Sequence, residues 1–214
     1  MILHQNLLLE VHTLVETHHV DPFNLLITDL AALGLPFKYP PNLEVALSHC
    51  LKHSSNSSKV DDFAQEIMQA AKYETITFLM LCAEQIPTLM KYVLREHGDS
   101  WEAEETLQNG EGACRDFSVL FIEACRAVGI AARFVSGYCI GDVASDTHMH
   151  AWAEVYLPGA GWRGFDPSRE VSTSDDHISV AASYKPQDAS PTCGSFRGHV
   201  VAIMKTEILI SRLN

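Results

Sequence analysis

Residues 7–17 alternate along the chain, with Leu7, Leu9, Val11, Thr13 and Val15 on one side, and this period of two predicts a strand. A proline-containing stretch from Asp21-Pro22 to Tyr39-Pro40-Pro41 breaks the pattern. Apolar spacing then predicts helices over 42–52, 61–72 and 74–85, the second opened by Asp61 and Asp62, which suit a helix N-terminus. Pro87 is expected to end or kink the third, and over 88–97 the spacing does not choose between helix and strand. Ser54 to Ser58 reads as a loop.

The signals sharpen after residue 100. Ser100 precedes a short acidic helix, WEAEETL, closed by Asn109-Gly110. Positions 114, 117, 120, 121, 124, 125 and 128 are apolar at helical spacing, and Gly129 stops that helix. Three strands follow, Ile130 to Tyr138, His150 to Leu157 and Trp162 to Asp166, the last two joined as a hairpin through Pro158-Gly159-Ala160-Gly161. A final strand pattern covers 199–211. Helices first and an antiparallel sheet second make an α+β fold, with the helix that begins at Cys114 packed on the sheet.

Composition narrows the function. The chain has 214 residues, 47% of them apolar, enough to bury a sizeable core. A net charge of −12 argues against nucleic acid and against an anionic membrane surface as partners. No apolar run is long enough to span a bilayer, and MILHQNLLLE does not read as a secretory signal, so a cytoplasmic location is expected. Six cysteines occur without a CxxC pair, which points to reduced thiols rather than a disulfide framework. Most free cysteines are buried and chemically quiet.

Cys114 stands apart because it opens a helix directly after the glycine-flanked Asn109-Gly110-Glu111-Gly112. Free N–H groups and the positive dipole end gather there, which favours a thiolate and can hold an oxyanion. Gly112 would let a substrate backbone come close. Taken alone, Cys114 also fits a buried residue facing the core. His150 begins a strand whose other face carries Ala151, Ala153, Val155 and Leu157, a position from which a histidine can reach a cleft as general base. Asp166 ends the next strand before Pro167. Closure around Pro158–Gly161 makes paired numbers sum to about 316 to 319, so His150 and Asp166 fall opposite or one diagonal step apart on one face. A carboxylate there can fix the histidine's tautomer.

These residues resemble the bacterial transglutaminase-like family. The resemblance rests on Gly-Glu-Gly-Ala-Cys-Arg-Asp-Phe at 110–117, His-Ala-Trp-Ala-Glu-Val-Tyr at 150–156 and Gly-Trp-Arg-Gly-Phe-Asp-Pro at 161–167, and runs from about Pro36 to about Gly198. It implies a papain-like fold, with Cys114 as nucleophile, His150 as base and Asp166 as orienting acid. It also implies acyl transfer on amides of a protein, a peptide or a small molecule, either hydrolysis, toward which we lean, or transfer to an amine. A non-catalytic scaffold that keeps the fold is the reading from another class.

Residues 36–214 are expected to form the catalytic domain, and 1–35 an extension, the remnant of a β-rich domain. Its strand would leave an open edge for pairing within the domain or in a homodimer. Trp101 and Trp152 are candidates to wall the cleft, beside the ordinary role of buried aromatics, and Trp162 and Phe165 read as core. His148 and His150, with His177, suggest zinc only weakly, because no second close ligand pair exists. No cofactor or calcium loop is read. Asp116, so near Cys114, is expected to turn away toward Arg115 or Arg133. His18-His19 and His97 read as surface residues, and Glu102, Glu104 and Glu105 as a solvated face.

Overall fold

The computed structural model describes residues 8–18, 26–53, 58–95, 98–140, 149–169, 171–190, 203 and 205–212. Its helices are α1 (Pro41–Ala46), α2 (Ser58–Ala70), α3 (Thr75–Leu89), α4 (Ala103–Asn109) and α5 (Cys114–Ala127). Its strands are β1 (Lys91–Tyr92), β2 (Glu111–Gly112), β3 (Ala132–Cys139), β4 (His150–Leu157), β5 (Gly161–Asp166), β6 (Val171–Ser172) and β7 (His177–Ser183). The described residues form an α+β fold. Five antiparallel strands run in the order β6-β5-β4-β3-β7, and β1 and β2 make a separate parallel pair just ahead of α5.

α5 is the central helix. Phe117, Leu120, Phe121, Ala124 and Cys125 are fully buried, and α5 packs against β4, whose Ala151, Ala153, Val155 and Leu157 supply the sheet's inner face. Phe121 stacks on Phe165 with ring centroids 5.6 Å apart. α2 adds Val60, Phe63, Ala64, Ile67 and Met68, and α3 adds Phe78, Leu79, Cys82, Ala83 and Ile86. Gly110 closes α4 at φ 64° and Gly129 follows α5 at φ 85°, left-handed positions where glycine carries no Cβ penalty. Pro87 lies inside α3, which continues to Leu89 before the chain turns into β1.

Some expectations are corrected. Residues 8–18 form no strand, and Leu8, Leu9, Val11 and Leu14 are exposed. The alternation is present, but among the described residues no sheet pairs with it, and an apolar stripe without a partner forms no ladder. The described part of 199–211, residues 203 and 205–211, is likewise without strand pairing, with Ile203 and Leu209 exposed. Helix 42–52 shortens to Pro41–Ala46 followed by turns. Ser58, expected in the loop, instead opens α2, while residues 54–57, His19, His97, His148 and Cys193 lie outside the described residues.

Candidate active site

Three elements converge on one point: the start of α5, the start of β4 and the end of β5. The hairpin register decides how the last two meet. Ala153 pairs with Phe165 and Glu154 with Gly164, a sum of 318, so His150 lies one diagonal step from Asp166 on the same face. His150 Nε2 and Asp166 Oδ2 are 2.6 Å apart. The ring is also hydrogen-bonded to Cys114. With Nε2 given to the carboxylate, Nδ1 is the nitrogen left for the thiol. Cys114 and His150 are each 8% exposed and Asp166 is fully buried, so the solvent side of the site belongs to the thiol and the imidazole.

Four donors reach the two oxygens of Asp166. Oδ2 accepts from His150 and, at 3.1 Å, from His177 Nε2, while Oδ1 accepts from the Ser168 backbone N–H at 3.0 Å and hydroxyl at 2.7 Å. Burial alone would raise this carboxyl, but the hydrogen bonds from His150 and His177 outweigh it and hold the group well below the usual carboxylate range. For His150, burial disfavours the charged ring. The Asp166 and Cys114 hydrogen bonds and charges win, raising the imidazole to about 10. A buried anion thus holds a protonated imidazole beside Cys114.

The start of α5 is fixed by Asp116. Its carboxylate accepts from Ala113 N and Trp101 N, each at 2.8 Å, and pairs with Arg95 Nη1 at 3.2 Å. The expected turn toward Arg115 or Arg133 is therefore corrected to Arg95. The buried charge is satisfied by backbone donors that only the folded loop brings close. Gly112 is buried beside this turn. A Cβ there would stand 2.9 Å from Asp116 Cβ and 3.1 Å from Phe117 Cε1, so the missing side chain makes room for α5 itself. Trp101 lies under the Arg95 guanidinium at 4.0 Å and contributes its N–H to Asp116. Trp152 is buried edge-on to His177 at 5.2 Å and beside His150 at 6.3 Å, a packing wall behind the histidines. Phe165 is core, whereas Trp162 is partly buried, with Arg133 4.0 Å over its ring.

Two residues join the site that sequence reasoning did not place there. His177 was noticed only as a zinc candidate. The segment after β6 carries it across to Asp166, a placement that no local pattern signals. Tyr92 sits in the undecided stretch. It is 46% exposed, and its hydroxyl lies close enough to Cys114 for that residue's charge and polar groups to act on it. Burial and the charge of a thiolate at Cys114 push the phenol up to about 12. Tyr92 is aligned there because β1 pairs with β2 in the register Tyr92–Gly112.

Among the described residues, His150, Asp166 and His177 form a group that could hold a metal ion, with donor atoms within 4.8 Å of one another. A metal would have to displace the two N–H donors already bound to Asp166 Oδ2. A cleft of about 190 Å³ is lined by Trp152, Glu154, Trp162, Thr173, Ser174 and His177, among others. Cys114 does not line it.

The model of the transglutaminase-like superfamily matches residues 61–167, which contain the Cys114, His150 and Asp166 segments. The chain belongs to this superfamily. It is 28% identical over 115 residues to an uncharacterised protein of Mycobacterium leprae, covering 51% of this chain and 40% of that protein. It is 34% identical over 102 residues to an uncharacterised protein of Mycobacterium tuberculosis, covering 42% and 32%. The matches thus span less than half the length of these relatives. A candidate cysteine protease from Cytophaga hutchinsonii superposes with a TM-score of 0.58 at 23% identity, covering 71% of this chain and 52% of that one, a likeness of fold. Among the described residues no helix is long and apolar enough to cross a membrane.

Proposed function

We propose that this transglutaminase-like chain catalyses acyl transfer from amides through a thioester on Cys114. The observation that carries this reading is the 2.6 Å His150–Asp166 bond, which commits Nε2 and leaves the other imidazole nitrogen for Cys114. With His150 raised to about 10, the imidazole is a strong enough base to take the thiol's proton. The sulfur attacks the carbonyl carbon, the C–S bond forms, and the carbonyl electron pair moves onto oxygen. In this reading the backbone N–H of Cys114 and the Tyr92 hydroxyl supply the donors to that oxyanion. Collapse breaks the C–N bond, and His150 delivers its proton to the departing amine. A second nucleophile then attacks the thioester, giving its proton to His150, and the thiolate returns as leaving group.

Hydrolysis is the favoured second half. Water reaches a site with 8% exposure at both Cys114 and His150, and it is present in large excess over any amine. The substrate class is a peptide or small amide. The test is a panel of peptide amides followed by intact-mass analysis after acid quench. Turnover with a thioester adduct on Cys114, both absent in Cys114→Ala, is the expected result. A binding protein that turns over none of the panel and traps no adduct would favour the scaffold reading.

A further inference from the structure

His177 presents Nε2 to the same Asp166 oxygen that His150 uses, at 3.1 Å against 2.6 Å. Its side chain is 4% exposed, and its Nδ1 is buried with no hydrogen-bond partner. A proton on Nδ1 would therefore be a buried donor with nowhere to go. In the neutral ring the proton belongs on Nε2, the nitrogen that donates to Asp166. Cys139 Sγ is 3.6 Å from the same nitrogen, but the carboxylate is nearer and charged and takes the bond. Cys139 has its own partner, Arg169 Nη1 at 2.6 Å, and burial pushes its thiol up to about 11. Trp152, edge-on to His177, and the β3–β7 pairing of Cys139 with His177 hold the ring in place.

We propose that His177 is a positioning residue of this site, whose Nε2–H shares out the charge of Asp166 and so sets how tightly that carboxylate holds His150. The inference rests on the reading of Asp166 as the acid that orients His150. Ser168 anchors Oδ1 through two hydrogen bonds, so the carboxylate keeps its direction when His177 is removed, and what changes is the charge left on Oδ2. Among the described residues, the other charged and titratable groups that face the cluster are Cys114 from α5, Tyr92 from β1, Cys139 from β3, Glu154 from β4 and Arg163 from β5, which line the same cleft as His177, and Arg169 and Asp176 from the segments flanking β6.

The experiment is alkylation of Cys114 by iodoacetate across pH, read by peptide mass, in wild type, His177→Leu and His177→Gln. This anionic reagent reacts fastest while an imidazolium stands beside the thiolate, so the alkaline limb of the profile reports His150. Leu at 177 removes the donor, and the alkaline limb is expected to move up by about half a unit or more. Gln can place an N–H near the Nε2 position and should restore the wild-type limb. A limb that stays put or moves down in His177→Leu would overturn the proposal, since a merely structural role loosens His150.

A second measurement does not require the variants to fold. The ¹⁵N shifts of wild-type His177 should report the proton on Nε2 in the neutral ring, and an Nδ1–H tautomer would refute it. Neither readout needs a substrate. A protein with no amide turnover but a shifted limb sinks the proposed function and leaves His177 standing, and the reverse pattern does the opposite.

Discussion

Replacing Asp166 by Asn tests how much of the site depends on one carboxylate. Its two oxygens take four donors, from His150, His177 and the N–H and hydroxyl of Ser168. An amide offers one accepting oxygen, and its NH₂ cannot accept. If the oxygen faces Ser168, the NH₂ forces His150 to present a bare Nε2, which puts the ring's proton on Nδ1 and removes the base from Cys114. If the oxygen faces the histidines, the Ser168 N–H is orphaned in a buried site. An unsatisfied buried donor costs about 1–3 kcal/mol, and breaking a buried charge pair about 3–5. We expect a loss of roughly 3 kcal/mol in urea unfolding at pH 6 and a fall in turnover of about 10³-fold or more.

The pH dependence carries a sharper signature. Asp166 is held low when folded, so its stabilisation is present above the unfolded value of about 3.9 and is lost as pH falls through the lower folded value. His150 is raised to about 10, so its stabilisation is complete below the unfolded value of about 6.5 and is lost as pH rises toward 10. The two descriptions concern one pair. They place greatest stability between about pH 4 and 6.5 and predict a decline on both sides. In Asp166→Asn both slopes should flatten. A variant with wild-type turnover and an unchanged stability–pH curve would show that this carboxylate neither orients nor charges His150.

Two further changes probe the surroundings. Tyr92→Phe removes the hydroxyl at Cys114 while keeping the edge-on contact with Phe117, 6.1 Å between centroids, so kcat on an amide should fall by about 10²-fold with little change in melting temperature. Unchanged kcat would take Tyr92 out of the oxyanion site. Gly137→Ala would drive a Cβ onto the Ile178 carbonyl and to 2.7 Å from Trp152, prising β7 from β3 close to His177. Urea unfolding should show a loss of about 3 kcal/mol, the upper end for overpacking, and a midpoint equal to wild type would contradict the close approach.

The parts of the site legible in the sequence were those written locally. Helical spacing from 114 to 128, the glycine stops and the Pro158–Gly161 turn placed Cys114 at a helix start. They also set His150 and Asp166 on one hairpin face, and the register fell inside the range that turn geometry allowed. What stayed hidden depends on returns of the chain over longer distances. His177 reaches Asp166 only because the chain crosses from the β6 edge of the sheet to β7 at the other, and Tyr92 reaches Cys114 only through a two-residue parallel pairing. Arg95 is the counter-ion of Asp116 for the same reason. The opposite error arose at 8–17 and at 203 and 205–211, where the pattern of residues alone predicted strands. A period of two names a face but supplies no neighbour to bury it.

The central claim is that Cys114 and His150 act as one coupled unit. The direct measurement is the rate of Cys114 alkylation from pH 4 to 11, in wild type and in His150→Ala. Coupling predicts rapid reaction in wild type well below the free-thiol midpoint of about 8.5, and a His150→Ala profile that slows at neutral pH and rises toward that midpoint. Identical profiles, both those of an ordinary thiol, would contradict it and leave the histidine and the cysteine as neighbours in a fold without shared chemistry.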